Sequence, residues 1–312
     1  GDKIVYVNDV YYSAYEMQEA VSIMRGTPGE SVKVTVMRGL DTLDFDVVRE
    51  NVNINYVEYE ILEGNIGYVM VFDFLGDAYE GFAEAIDTFR AANVSGMIID
   101  LRNNGGGLVD TCVKMADLIL PEGVVVSMKD KDGNVTEEKI DDEYYDVPMA
   151  VLVNGYSASA SEIFAGGILG TSSGIVIGTR SYGKGVAQVL FDESNCPYLH
   201  GDAVKVTAYR FYCAGGNTTD RIGVIPTLFL PQAQAAAAAR LLSGEKTKDG
   251  GAYLHLVLNG CDFYIDIPAA KESSSTALEA ILTALTPDAV LYWGENGGET
   301  ALTPAQAREK CG

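Results

Sequence analysis

Met149-Ala150-Val151-Leu152-Val153-Asn154-Gly155-Tyr156-Ser157-Ala158-Ser159-Ala160-Ser161-Glu162-Ile163 is the stretch that decides the fold. Its first five residues are uniformly apolar, the pattern of a strand buried on both faces. Glycine and serine then end the strand, and Ser161 to Leu169 reads as a helix. Small residues between a buried strand and a helix let the chain turn sharply and let another backbone come close. A serine in such a turn faces the amides of the helix N-terminus, which can stabilise an oxyanion. The same residues also suit an ordinary loop with a capping serine. Taken alone, the stretch does not choose among Ser157, Ser159 and Ser161.

Strand and helix alternate on either side of it, over residues 57 to 235. Ile66 to Phe72 is an apolar strand and Phe82 to Ala92 an amphipathic helix. Met97 to Leu101 is a buried strand. Gly105-Gly106-Gly107 leads into a helix through Leu120, closed by Pro121. Ile175-Val176-Ile177 is a further strand, and residues 237–242 form an alanine-rich helix. This rhythm predicts an α/β core.

The first fifty residues read as part of a small domain. Val5 to Val7 is a strand. Ser13-Ala14-Tyr15-Glu16 is a capping box leading to Met17, Ala20, Val21 and Met24 on one helical face. Gly26 to Gly29 ends that helix. Val32, Val34 and Val36 alternate with polar residues, and Arg38-Gly39-Leu40-Asp41 turns the chain into a strand from Thr42 to Val48. At the other end, Ser243 to Gly251 reads as a linker to a separate small unit. There Asn259-Gly260 signals a hairpin and Thr276 to Leu285 a short helix. His255, Asp262 and Asp266 in that unit read as surface or turn residues. No internal repeat is present.

The 312 residues are 47% apolar, enough for a sizeable core. The 44 acidic residues against 22 basic ones give a net charge of -22. That balance argues against nucleic acid and against an anionic membrane surface as partners. No run reaches the roughly 18 apolar residues of a membrane span. Gly1 to Val5 reads as the interior of a domain, so the lack of a visible signal peptide carries no weight. Five cysteines without close paired spacing, and two histidines, argue against a metal site. Cys196 and Cys213 flank an expected hairpin, a placement compatible with a disulfide.

Two further segments can carry chemistry. Gly178-Thr179-Arg180-Ser181-Tyr182-Gly183-Lys184-Gly185 nearly matches a phosphate-binding loop. Gly185 replaces the Ser or Thr that holds magnesium, and Val186 to Phe191 has β-character where that loop needs a helix, so the match is rejected. A lysine between two glycines sits on a solvated turn or is closely approached by another backbone. In a dry site it can act as a general base. Leu101-Arg102-Asn103-Asn104-Gly105-Gly106-Gly107 opens from a buried strand, and its amides can hold an oxyanion.

In order and spacing, Leu101 to Gly107, Ser157-Ala158-Ser159-Ala160-Ser161-Glu162-Ile163, and Tyr182-Gly183-Lys184-Gly185 followed by Gln188 resemble the C-terminal (tail-specific) processing peptidases, the S41 serine peptidase family. The resemblance covers roughly residues 1 to 242. It implies a ClpP/crotonase-like α/β peptidase core at 51–243, preceded by a partial PDZ domain at 1–50 and followed by a small α+β unit at 244–312. It implies Ser159 as nucleophile, Lys184 as general base and Gln188 as the residue that orients the lysine. The amides of Gly106 and Ala160 would form the oxyanion hole. The implied reaction is endopeptidase cleavage of protein or peptide substrates near apolar C-termini, through an acyl-enzyme and without metal or cofactor. The resemblance places the enzyme outside the bacterial cytoplasm and is compatible with a homo-oligomer. Two alternatives stand beside it. One is a peptidase-like scaffold or peptide-binding module inactive in this form; the other is a hydrolase whose base is His200.

Overall fold

The computed structural model describes residues 1–52, 54–200, 202–247 and 251–311. The chain divides into two units, Gly1–Ile54 and Asn55–Gly312.

The first unit is a four-stranded antiparallel sheet with one helix. Its elements are β1 (Lys3–Val7), β2 (Val10–Tyr11), α1 (Met17–Met24), β3 (Ser31–Arg38) and β4 (Asp41–Val48), in the order β2-β1-β3-β4. The period-two valines of β3 make the core: Val32, Val34 and Val36 pack with Val7 and Ala20. Glu16 accepts from both the amide and the hydroxyl of Ser13, at 3.0 and 2.7 Å, ahead of α1.

The second unit is built on a six-stranded sheet. Its first elements are β5 (Val57–Leu62), β6 (Ile66–Val71), α2 (Ala78–Ala92), β7 (Gly96–Asp100) and α3 (Val109–Asp117). The hairpin β8 (Gly123–Lys129) and β9 (Val135–Ile140) follows. Then come β10 (Met149–Val153), α4 (Ala160–Gly170), β11 (Gly174–Gly178), β12 (Val186–Phe191), β13 (Val204–Cys213), β14 (Leu228–Phe229) and α5 (Gln232–Leu241). The main sheet runs β14-β11-β10-β7-β6-β5. All of it is parallel except the edge strand β5. A second, antiparallel sheet runs β12-β13-β8-β9.

The apolar run at 149–153 is a central strand for a simple reason: both of its faces are covered. Met149, Val151 and Val153 enter one core with Phe82, Phe89, Met115 and Phe164. Ala150 and Leu152 enter the other, with Ile98, Ile175 and Ile177. Phe164 of α4 meets Phe82 edge-on at 6.0 Å and Phe74 at 5.8 Å. Such pairs add roughly 0.5–1.5 kcal/mol each beyond area burial, and they fix the helix that follows the serine turn.

The C-terminal region contains β15 (Tyr253–Leu258), β16 (Cys261–Asp266), α6 (Ile267–Ala284), β17 (Val290–Glu295), β18 (Gly298–Leu302) and α7 (Pro304–Cys311). Its sheet runs β16-β15-β17-β18. The Asn259-Gly260 hairpin forms as expected, with both residues at positive φ and Leu258 paired to Cys261. A separate small unit was expected here, but Leu254, Leu256, Phe263, Ile265 and Leu291 join the core on the second face of the main sheet. That face carries Ile98, Leu152, Ile175 and Ile177, whose apolar surface needs a cover. Ser243, the first residue of the expected linker, exchanges backbone hydrogen bonds with Tyr264. Residues 248–250 of that linker lie outside the described residues. His255 is buried between Asp262 and Glu299 rather than at the surface.

Candidate active site

The C-terminal ends of β6, β7, β10 and β11 lie along one edge of the parallel sheet, and the three quoted segments leave from there. Ser159 caps α4 with φ 60° and ψ -115°. That is a strained conformation for a residue with a Cβ, held at a cost of about 1–3 kcal/mol. It is the geometry of a serine on a sharp strand-to-helix turn.

The structure separates the three serines. Ser157 and Ser161 are 0% exposed. The Ser157 hydroxyl donates to Leu101 O at 2.7 Å and accepts from the Asn154 amide at 3.0 Å. The Ser161 hydroxyl donates to Asn104 O at 2.9 Å. Both are structural pins. Ser159 is half-buried, and its hydroxyl donates to no acceptor among the described residues.

Lys184 lies in the loop between β11 and β12, half-buried. Its amide donates to Glu162 Oε2 at 2.8 Å, and the Ser159 amide donates to the same oxygen at 2.9 Å. Glu162 Oε1 accepts from the Gly183 amide and the Ser181 hydroxyl, both at 2.6 Å. Glu162 is itself 0% exposed. An ionised carboxylate accepts only, and four donors surround this one. The Lys184 carbonyl accepts from Thr219 Oγ1 at 2.9 Å, so the lysine backbone is held on both sides. Gly185 has no room for a side chain: a Cβ there would stand 2.5 Å from Asp220 Cα.

Gly106 presses against the serine turn. A Cβ on it would stand 2.8 Å from Ser159 Cβ and 3.0 Å from the Ala160 nitrogen, and its φ is 106°. Its amide donates to Asn104 Oδ1 at 2.8 Å, so it is already committed within its own loop. The Ala160 amide is in the first turn of α4, beside Gly106. Asn104 is fully buried and stitches the loops together. Its Nδ2 donates to Val71 O at 2.8 Å, and its carbonyl accepts from the Ala158 amide and the Ser161 hydroxyl.

The structure thus brings Ser159, Ala160, Gly106 and the backbone of Lys184 together. It does not join the side chains expected to react. No hydrogen bond links Ser159 Oγ to Lys184 Nζ among the described residues. Gln188 is exposed on β12, beside an irregularity in the pairing with β13, and makes no side-chain hydrogen bond there. His200 is exposed in the connection between β12 and β13 and makes no hydrogen bond to Ser159. Cys196 and Cys213 are both free thiols, against the disulfide that a flanking hairpin allows. Cys213 is turned into the core, where its Sγ donates to Glu162 O at 3.4 Å. Burial pushes its thiol up to about 12, and burial likewise raises Cys112. Neither supplies a thiolate nucleophile.

Glu162 is the residue whose role the sequence reading missed. The signal was present as Ser159-Ala160-Ser161-Glu162, the spacing of a capping box. Its second carboxylate oxygen serves the Ser181–Lys184 loop, which no local pattern announces.

Residues 65–229 match the family model of peptidase family S41. A carboxy-terminal-processing protease of Bartonella bacilliformis is 32% identical over 241 residues, covering 74% of this chain and 54% of that protein. The carboxy-terminal processing protease CtpA of Bacillus subtilis is 29% identical over 255 residues, covering 80% and 53%. Among solved structures, the photosystem II D1 C-terminal processing protease matches with a TM-score of 0.54 and 28% identity, covering 74% of this chain and 63% of that one. The chain spans about half the length of the curated relatives it matches. With the mixed α/β fold and the serine turn in place, the match settles the family: this chain belongs to peptidase family S41.

Proposed function

We propose that the chain is a serine endopeptidase that cleaves protein substrates near apolar C-termini, with Ser159 as nucleophile and Lys184 as general base. The observation that carries this is the contrast among three serines in one turn. Ser157 and Ser161 spend their hydroxyl protons on buried carbonyls, whereas Ser159 is accessible, strained and tied through Glu162 to the lysine loop.

In the proposed reaction Ser159 Oγ attacks the scissile carbonyl as Lys184 Nζ takes its proton. The resulting ammonium donates that proton to the leaving amine, and an acyl-enzyme remains. Water then attacks the ester, giving its proton to Lys184, and Ser159 leaves with that proton. Gln188 orients the lysine. The Ala160 amide receives the oxyanion, joined by Gly106 once it exchanges Asn104 Oδ1 for the substrate oxygen. No metal or cofactor takes part. Residues 1–50 act as part of a PDZ domain, 51–243 as a ClpP/crotonase-like peptidase core, and 244–312 as a cover on one face of its sheet. The names of the relatives support C-terminal processing, and the proposed site of action is extracytoplasmic. No helix among the described residues is long and apolar enough to cross a membrane.

A second state of the same enzyme has its own support. The missing bond between Ser159 Oγ and Lys184 Nζ, the committed Gly106 amide and the unengaged Gln188 fit a resting conformer that substrate completes. Hydrolysis of an unfolded protein by the chain and by Ser159→Ala tests the proposal. Loss in the variant supports it; equal rates end it.

A further inference from the structure

We infer that Arg180 and Arg221 form a subsite for a carboxylate of the substrate, beside the serine turn. The inference rests on the cleavage proposed above. The chain carries twice as many acidic as basic residues, and several of its bases are paired: Lys33 with Asp9, Arg38 with Asp2, Lys114 with Asp110. Arg180 and Arg221 are exposed and have no carboxylate partner among the described residues.

Both border the strip that ends in Lys184. Ser181 turns inward, donating to Glu162 and accepting from the Val224 amide at 2.6 Å, and its neighbours Arg180 and Tyr182 stay exposed. The Tyr182 amide donates to Ser157 O at 3.0 Å, which sets the strip edge to edge with the serine turn. A Cβ on Gly155 would stand 3.9 Å from Arg180 O. The Arg221 amide donates to Gly183 O at 2.8 Å, and Arg180 Cγ runs over Gly223, where a Cβ would meet it at 3.1 Å. The backbones of Arg180 and Arg221, both with exposed side chains, therefore border the segment that runs from the serine turn to the lysine.

A guanidinium pairs with a carboxylate through two parallel N–H bonds. The field of a chain with net charge -22 repels anionic peptides at a distance, so accepting one needs positive charge at the point of contact. The carboxylate comes either from a free C-terminus or from an Asp or Glu side chain near the cleaved bond.

The test uses the whole chain and fluorogenic apolar peptides in matched pairs. One pair differs by a C-terminal acid against its amide, the other by an internal Asp against Asn in amidated peptides. The expected result is a KM lower for one acid member than for its neutral twin, by about two- to fivefold per arginine. Arg180→Gln and Arg221→Gln should each remove part of that difference and leave the neutral twin unchanged. Arg→Lys should restore part of it, and salt should shrink it. Whichever pair responds identifies the source of the carboxylate. Equal KM values within both pairs for the unaltered chain, or variants that weaken acid and neutral twins alike, overturn the subsite. If no peptide is cut in a Ser159-dependent way, the cleavage proposal itself fails and the subsite falls with it.

Discussion

The amides of Ser159 and Lys184, far apart in the chain, donate to one and the same oxygen, Glu162 Oε2, at 2.9 and 2.8 Å. A buried carboxylate thus sets the distance between the two loops that carry the proposed nucleophile and base. Its other oxygen holds Ser181 and Gly183. The site is organised from beneath, through backbone, while the side chains proposed to react make no hydrogen bond to each other.

Glu162→Gln tests that arrangement. The amide cannot accept with both ends, so its NH2 faces two of the four donors. Leaving buried donors unpaired costs about 1–3 kcal/mol each. The expected outcome is a stability loss of about 2–5 kcal/mol by denaturant unfolding, together with a fall in kcat that exceeds any change in KM. Unchanged kcat in a folded variant would show that the shared carboxylate does not position the pair.

Ser159→Gly should separate function from stability. Glycine adopts φ 60°, ψ -115° without strain, so the variant should lose activity and hold or gain stability, by up to about 1 kcal/mol. Ser157→Ala should do the opposite. It removes a buried hydroxyl bonded to Leu101 O and Asn154, costing about 1–3 kcal/mol while retaining measurable hydrolysis. Thermal unfolding and a peptidase assay on both variants check the pair.

Gly106→Ala should abolish activity with the chain still folded. The added methyl meets Ala158 O at 2.7 Å and Ser159 Cβ at 2.8 Å, so the serine turn or the glycine loop must move. At φ 106° an alanine is also strained. Full activity in this variant would remove Gly106 from the proposed oxyanion site.

Acid should loosen the C-terminal sheet at one particular carboxylate. A hydrogen bond from Lys246, then one from Tyr253, hold Glu299 down from 4.5 to about 2. A lowered carboxylate contributes stability above its unfolded value and loses it as the folded group takes up its proton. The loss should therefore fall between about pH 4.5 and 2, and Glu299→Gln should flatten the stability profile across that window. Because the pair is exposed to solvent, the effect should be small and should fade in salt. Unfolding midpoints against pH for both proteins measure it.

Much of this was legible in the residues. The run Met149 to Val153 has the composition of a doubly covered strand, and it is one, because alternate side chains feed two cores. Helix ends drifted where local signals compete. A helix from Thr276 was expected, whereas α6 starts at Ile267 behind an Asp266 cap and is kinked at Ser274, within Ser273-Ser274-Ser275. The burial of His255 and the docking of the C-terminal sheet were not legible, since both depend on which face of the main sheet lacks a cover. The commitment of the Gly106 amide to Asn104 was equally hidden: a glycine loop advertises free amides, and only the fold decides which are already used.

The most direct test of the proposed pair is the site and pH dependence of labelling by a fluorophosphonate, read by mass spectrometry of the whole chain and its peptides. A serine activated by a lysine should give one adduct, on Ser159. It should form faster as pH rises, because only the neutral amine accepts a proton, and it should be lost in Lys184→Ala. An adduct on Ser157 or Ser161, no adduct at all, or labelling of Ser159 undiminished in Lys184→Ala would contradict the account.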